Sequence, residues 1–506
     1  MSARRLLLPG PAALLATAVV AVAVATPLES WDLMFYLATG RWLLEHGFPA
    51  ADPFSPLAAT AWFPHCWASC VLSELSLRAF GAAGPALLFG LVLGAQVLLV
   101  GRLLSRAGAR GASWLLLLLL VLGIQAYAFG LERAYHVGQL GFAAALWLLL
   151  RWREGAEWGA WLFAPLTMLW ANLHGSWIAA PALLGAAAVG AAIESGRIAP
   201  RHLRAGLAAG LAWLAAAVAP EGFANALYPL RFIWGVSGQS VAEWHAWSLG
   251  TQPGRVLAGL CLVATWTTAR SQRRPWSLLL PAAGLLLATV RIERFAALAG
   301  MVLAVATARM LAAGYDEPGQ RPSAAPRLAA AIERLHGWID RWRRTASGAV
   351  WPAALLVAVA VAAALQPAPL IERLSRREFP LPALEALCRQ PPGRVLASYR
   401  YGAAVSALCG PDYPVFIDGR AENYPPAVHA DYRKLALLEP GWRKVLAAFD
   451  PRAVLWPSRG IDSRLGDALD EDPGWLRVVR GSVGGLWIRA TGDRQPRVEQ
   501  KGANRP

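Results

Sequence analysis

Long apolar runs separated by short polar corners fill the first 365 residues of this chain. Eleven runs stand out, at about 6–26, 83–101, 112–130, 135–150, 158–173, 176–193, 205–220, 254–269, 276–290, 295–312 and 349–365. They carry almost no charge, and as helices the longer ones cross a hydrocarbon layer about 30 Å thick. Between the first two runs, residues 27–82 read as two amphipathic helices. In 31–47, Trp31, Phe35, Ala38 and Trp42 repeat at helical spacing, with Asp32, Thr39 and Glu45 off that stripe. In 65–80 the stripe is Trp67, Val71 and Leu75. Helices of this kind lie in the membrane interface, where Trp is favoured. The AADPFSP segment between them is a turn.

The pattern changes after residue 366. Short β-type runs appear (RVLAS, PVFID, AVLWP, LRVV and GLWIRA), and helical stretches near 381–389, 402–408, 427–436, 441–449 and 462–470 separate most of them. This alternation predicts a small α/β domain. The expected fold is therefore an α-helical polytopic membrane protein of about 11 transmembrane helices with a C-terminal α/β soluble domain. Its parts are a membrane domain over 1–365, containing the outer loop 27–82 and a cytoplasmic linker 313–348, a domain over 366–490, and a disordered tail at 491–506. Residues 1–26 could imitate a signal peptide, but the run is long for one and reads as a retained first span.

Composition agrees. Of 506 residues, 56 % are apolar and 16 % charged, against roughly 25 % charged in soluble chains. The formal charge of +16 lies mostly in Arg of short loops. Those on one side include Arg4, Arg5, Arg102, Arg106, Arg110, Arg197 and Arg201; the other side holds few, among them Arg41, Arg133 and Arg294. That asymmetry is a topology signal, not a nucleic-acid surface. It places the N-terminus in the cytoplasm, and an odd number of spans then puts the C-terminal domain outside. The expected location is a bacterial cytoplasmic (inner) membrane, with that domain periplasmic.

Ionisable residues collect at the outer corners. Glu29 and Asp32 follow the first run, and Asp52, His65 and Glu74 share its loop. Glu132, Arg133 and His136 form one corner, Asn172 and His174 a second, and Arg291, Glu293 and Arg294 a third; Glu221, Glu243 and His245 belong to the 220–253 loop. Charges at membrane depth are costly unless paired or facing a wet cavity, and they are functional candidates by default. Asp32 is the first choice of general base, since it opens an interfacial helix where a carboxylate can take a proton from a hydroxyl at the lipid surface. Alternatively it is a helix N-terminal charge, worth about 0.3–1 kcal/mol, and either Glu29 or Asp32 could fill that role. Arg133, Arg291 and Arg294 suit a phosphate group, or else pair with Glu132 and Glu293. His65 and His174 could bind phosphate or a metal, or be structural. Glu, Asp and His together leave room for a divalent cation (Mg or Mn), without a recognised ligand spacing.

In the tail, SYRYG (398–402) contains Tyr401, and VFIDGRAENY (415–424) clusters Asp418, Arg420, Glu422 and Tyr424 after a β run, as a binding loop or a local turn. The five cysteines follow no zinc pattern. Cys66 and Cys70 read as packing residues, because four helical positions leave Cβ atoms about 5–6 Å apart. Cys388 and Cys409 fall in the outer domain, where a structural disulfide is expected.

The layout resembles the GT-C glycosyltransferases, the polyprenyl-phosphate-sugar-dependent enzymes that include protein O-mannosyltransferases, the lipid A aminoarabinose transferase and oligosaccharyltransferases. The segments WDLMFYLATGRWLLEHGFPAADPFS, WANLHGSW, RIERF and VFIDGRAENY carry a closer resemblance to a bacterial GT-C-like group. The resemblance implies an inverting transferase that takes a sugar from a polyprenyl-phosphate donor to a glycan, lipid or protein acceptor. It implies that the first-loop acid, Asp32 with Glu29 second, is the base or places the acceptor or a metal. SYRYG is loosely similar to the WWDYG acceptor motif of oligosaccharyltransferases, with Arg400 at the aspartate position. A non-catalytic scaffold or lipid-linked-sugar binder is the second reading. A transporter is the third, and no inverted repeat supports it.

Overall fold

The computed structural model describes residues 10–58, 62, 65–125, 132–227, 245–315, 326–345, 350–365 and 367–490. Glu243, the tail 491–506 and part of the 313–348 linker lie outside the described residues. Two compact units form. One comprises Met1–Thr26, His65–Ser69 and Ala79–Pro367; the other comprises Pro27–Pro64, Cys70–Arg78 and Ala368–Pro506.

In the first unit a helix lies on every one of the eleven apolar runs, from Pro11–Ala25 to Val350–Leu365. Three stretches are long and apolar enough to cross a membrane, Ala83–Arg106, Gly175–Ser195 and Glu293–Ala313. Shorter apolar helices include Pro11–Ala25, Gly111–Gln125 and Trp276–Arg291. Small residues set the closest approach. Pro11–Ala25 packs on Ala83–Arg106 across Gly90 and Gly94, where a methyl group would come within 3.1 Å of Ala23 and Val20, the device by which backbones meet when lipid offers no hydrophobic drive. Buried Trp114, Trp152, Trp170 and Trp177 fill the core. A polar knot crosses it: Gln96 donates to Gln125 at 2.7 Å and to Gln139 at 3.1 Å, all three buried. The basic loops are tied by acids, with Glu194 accepting from Ser277 and facing Arg153.

The expected loop helices are present as Trp31–His46, in the second unit, and Trp67–Phe80, of which Cys70–Arg78 belong to that unit. The buried positions of the first are Leu33, Met34 and Tyr36 to Gly40, and those of the second include Ser69, Cys70, Ser73 and Glu74, while Leu72 and Leu75 are exposed. The helices cross at Gly40, where a methyl group would stand 2.2 Å from the Cys70 carbonyl oxygen. Glu74 then accepts from Arg41 at 3.3 Å and Arg78 at 2.9 Å, and Arg78 reaches Glu45 at 3.0 Å. Cys66 and Cys70 are buried thiols, as read.

The tail forms a four-stranded sheet, β1 Val395–Ala397, β2 Ala453–Pro457, β3 Trp475–Val479 and β4 Gly484–Arg489, in the order β1-β2-β4-β3. β1 runs parallel to β2, and the other pairs are antiparallel. Helices Leu381–Cys388, Gly402–Cys409, Pro426–Leu437, Trp442–Phe449 and Arg464–Asp470 match the expected stretches. PVFID is not a strand. It makes one bridge, Val415 to Val395, and on its other side the Val415 amide donates to Phe54 O at 2.8 Å, which links the first-loop segment to the sheet edge. Trp456, Trp487, Phe416 and Leu446 lie in the core.

Cys388 and Cys409 are joined by a disulfide 21 residues apart. Closing a loop of that length removes chain entropy worth about 3 kcal/mol. The Cys388→Ser/Cys409→Ser double variant is expected to lose about that much stability, read as a lower urea midpoint of the full chain in detergent. An unchanged midpoint would show that the crosslink is dispensable.

Candidate functional site

The first helix of the second unit begins with a serine cap. Ser30 Oγ accepts from the Leu33 amide at 3.3 Å, so neither nearby acid is needed for capping. Glu29 turns away from the helix and accepts from Ser375 Oγ at 3.3 Å, beside the bridge between Leu28 and Leu374. Asp32 is half-buried in the first turn of the same helix. A methyl group on Gly419 would lie 3.9 Å from its Oδ1. Tyr399 donates to Gly419 O at 3.0 Å and accepts Asp32 and Glu422 as charged neighbours. Burial first, then Glu422, Asp32 and Asp418, push the Tyr399 phenol well above its usual range, so it stays a donor. Arg400 lies over the Trp31 ring at 4.5 Å, a cation–π contact. Asp32 thus lies beside the IDGRAEN turn at Gly419 and bears electrostatically on Tyr399 of the SYRYG turn, all within one unit.

The remaining acids and base of the second segment have another use. Arg420 Nη1 is 2.6 Å from Asp52, its Nη2 is 2.6 Å from Asp418, and its Nε is 3.0 Å from Asp418; all three side chains are buried. Burial alone would lower the Arg420 pKa, but Asp418 and Asp52 outweigh it and hold the guanidinium charge well above the usual range. Asp52 also caps its own turn, accepting from the Phe54 amide at 2.8 Å and the Ser55 amide at 3.2 Å. These three charges, candidate substrate contacts by sequence, are spent on one another and fix the loop that carries Gly419 and Glu422. Tyr401 is likewise turned inward. It is buried, its hydroxyl donates to Val483 O at 3.2 Å, and burial raises its pKa to about 12. Residues 398–402 form a tight turn, with Tyr401 N donating to Ser398 O at 2.8 Å, which parts Tyr399 from Tyr401. Sequence reasoning passed over Tyr399; its position in SYRYG, two before Tyr401, was the available signal.

The first unit brings three corners together. His174 starts a 3-10 turn, and Ser176 holds its Nδ1 through Oγ at 2.7 Å. Gly138 makes room, since a methyl group there would come within 2.8 Å of that nitrogen. Arg294 Nη2 is 3.3 Å from His174 Nε2, and its guanidinium lies 4.7 Å from the Tyr135 ring centre. Tyr135 donates to Arg294 O at 2.8 Å. Burial, then Arg294, His65, Arg133 and His136, keep His174 well below the usual histidine range, hence neutral. Arg294, His65, Arg133 and His136 thus all bear electrostatically on His174, and Glu132, next to Arg133 in sequence, is buried. Glu293 is not among them: it receives a short hydrogen bond from Thr251. Arg291 is exposed on the last turn of its helix.

Solved structures with this arrangement of chain exist. ArnT from Cupriavidus metallidurans bound to undecaprenyl phosphate superposes with a TM-score of 0.56 at 13 % identity, covering 96 % of this chain and 98 % of that one. The archaeal oligosaccharyltransferase AglB from Archaeoglobus fulgidus, in complex with an inhibitory peptide and a dolichol-phosphate, gives 0.55 at 12 %, covering 96 % and 74 %. The chain shares the fold of these two proteins. No protein-family profile matches its sequence, and no curated protein does, so the likeness is one of fold. Among the described residues, no group of three or more His, Cys, Asp or Glu is placed to hold a metal ion. The donors do not fit one near Asp32 either, because Asp418 and Asp52 are committed to Arg420.

Proposed function

We propose that this protein is an inverting glycosyltransferase that moves a sugar from a polyprenyl-phosphate donor to an acceptor hydroxyl, spanning the cytoplasmic membrane about eleven times with the transfer on its outer face. The observation that supports the reading is the place of Asp32, in the first turn of an interfacial helix and beside Gly419 of the IDGRAEN turn. Asp32 takes the hydroxyl proton as the oxygen attacks the anomeric carbon. The bond from that carbon to the phosphate oxygen breaks, and the configuration inverts in a single displacement. The departing group goes from a singly charged phosphodiester to a more highly charged polyprenyl phosphate, so donors that meet it there accelerate the step. Separately, within the first unit, Arg294 and Arg133 are suited to hold a lipid phosphate. Buried, neutral His174 keeps Arg294 aimed. The chain's apolar helices and its fold likeness to enzymes holding undecaprenyl phosphate or dolichol-phosphate support a membrane-embedded donor.

The test is release of polyprenyl phosphate from a radiolabelled panel of polyprenyl-phosphate sugars by the purified full chain, beside Asp32→Asn. Binding without release by either protein, with every acceptor offered, would favour a lipid-linked-sugar binder that kept the fold. Arg294→Gln separates the other half. It is expected to weaken polyprenyl-phosphate binding by about 10–100-fold, the loss of one or two charge-assisted contacts, while the protein still inserts normally. Unchanged binding would remove Arg294 from the donor site.

A further inference from the structure

A polar cavity lies at the C-terminal sheet, within the second unit and formed by residues other than those around Asp32. It measures about 270 Å³ and is lined by Arg459, Arg477, Arg480, Ser458, Ser482 and Trp487, with Gly466 and Asp467 on one wall. That is just below the roughly 300–1,000 Å³ of drug-sized pockets, a volume for something near one monosaccharide. Gly466 is required for its shape: a methyl group there would stand 2.8 Å from the Trp487 ring.

Its charge is not spent as that of Arg420 is. Asp470 takes Arg477 at 2.7 Å and approaches Arg480 at 3.8 Å, and Asp467 is the one acid in the lining. Three guanidinium groups thus stand against two carboxylates. Arg459 and Arg480 are exposed. Beneath the lining, Ser458 Oγ and Arg477 Nε are closed off from solvent and have no hydrogen-bond partner among the described residues. Buried donors of this kind are normally satisfied, so each asks for an explanation. Arg477 is also held flat, its guanidinium 4.6 Å from the Trp487 ring centre and tied to Asp470, which presets the planar fork that pairs with oxyanions.

We propose that this cavity binds the anionic group, phosphate or carboxylate, of a saccharide-sized ligand. Arg459 and Arg480 meet the anion from the rim, the Arg477 guanidinium lies beneath them, and the exposed Ser482 hydroxyl completes the shell. The inference is independent of whether the chain transfers a sugar.

Equilibrium dialysis of the full chain in detergent tests it, with glucose 6-phosphate, glucuronate, inorganic phosphate and glucose as radiolabelled probes. Glucose 6-phosphate or glucuronate is expected to bind at least tenfold tighter than both inorganic phosphate and glucose. Arg459→Ala/Arg480→Ala should weaken that binding by at least tenfold. Ser482→Trp, which fills the exposed mouth without changing charge, should do the same. Equal binding by wild type and both variants, or no preference over glucose, would overturn the proposal. Inorganic phosphate binding as tightly as the sugar phosphate would also overturn it, by showing a bare anion site.

Discussion

Asp32→Asn is expected to lower the rate of sugar transfer by about 10²–10⁴-fold, the usual worth of a positioned general base, with donor binding within about twofold of wild type. Asparagine keeps the shape of the side chain and cannot accept the acceptor proton. The helix itself should survive, because Ser30 caps it, and the first-turn charge contributes only about 0.3–1 kcal/mol. The comparison that gives the result meaning is Glu29→Gln. Glu29 hydrogen-bonds to Ser375 and should retain most of the rate. Single-turnover transfer, with membrane insertion checked for each variant, reads both. An unaltered rate in Asp32→Asn removes Asp32 from the mechanism. A matching loss in Glu29→Gln would mean that the segment around Leu28 and Ser375, not a proton acceptor, had been disturbed.

How much of this was legible in the sequence follows from the range of the interactions involved. Helices and most strands are set by local periodicity and turn residues, so the eleven helical runs, the two loop helices and four of five β runs could be read directly. PVFID could not, because its backbone partner, Phe54, lies more than 350 positions away, and nothing local announces that pairing. The seam between the loop helices was hidden for a related reason. Trp31, Trp67 and Leu75 mark the apolar stripes, but the close approach of Gly40 to the Cys70 carbonyl is set by tertiary packing. Candidate charges could be collected by position, but not divided into partners. That Asp52, Asp418 and Arg420 belong together is a fact of tertiary distance, as is the gathering of His65, Arg133, His174 and Arg294. The cavity around Arg477 was invisible because its residues are ordinary until the sheet brings 457–487 into a ring.

The second large effect concerns that buried triad. Arg420→Ala should destabilise the second unit by about 3–5 kcal/mol, the cost of removing one partner from a buried ion pair. With Arg420 gone, Asp418 and Asp52 face each other in a buried place, 1 % exposed at the side chain, and their desolvation is no longer offset. Phe54 and Trp62 lose the guanidinium they pack against as well. For a unit of this size the melting temperature should fall by roughly 10 °C, followed by loss of a tryptophan signal on heating the full chain in detergent. A charge-neutral control decides the cause. In Asp52→Asn/Asp418→Asn/Arg420→Met the charges leave together, and such replacements of whole buried ion pairs are often neutral or better, so stability should largely return. If the triple variant recovered stability but not transfer, the triad would matter for function by holding Gly419 against Asp32. If Arg420→Ala melted like wild type, water must reach these carboxylates, and the triad could not be what fixes the loop beside the proposed base.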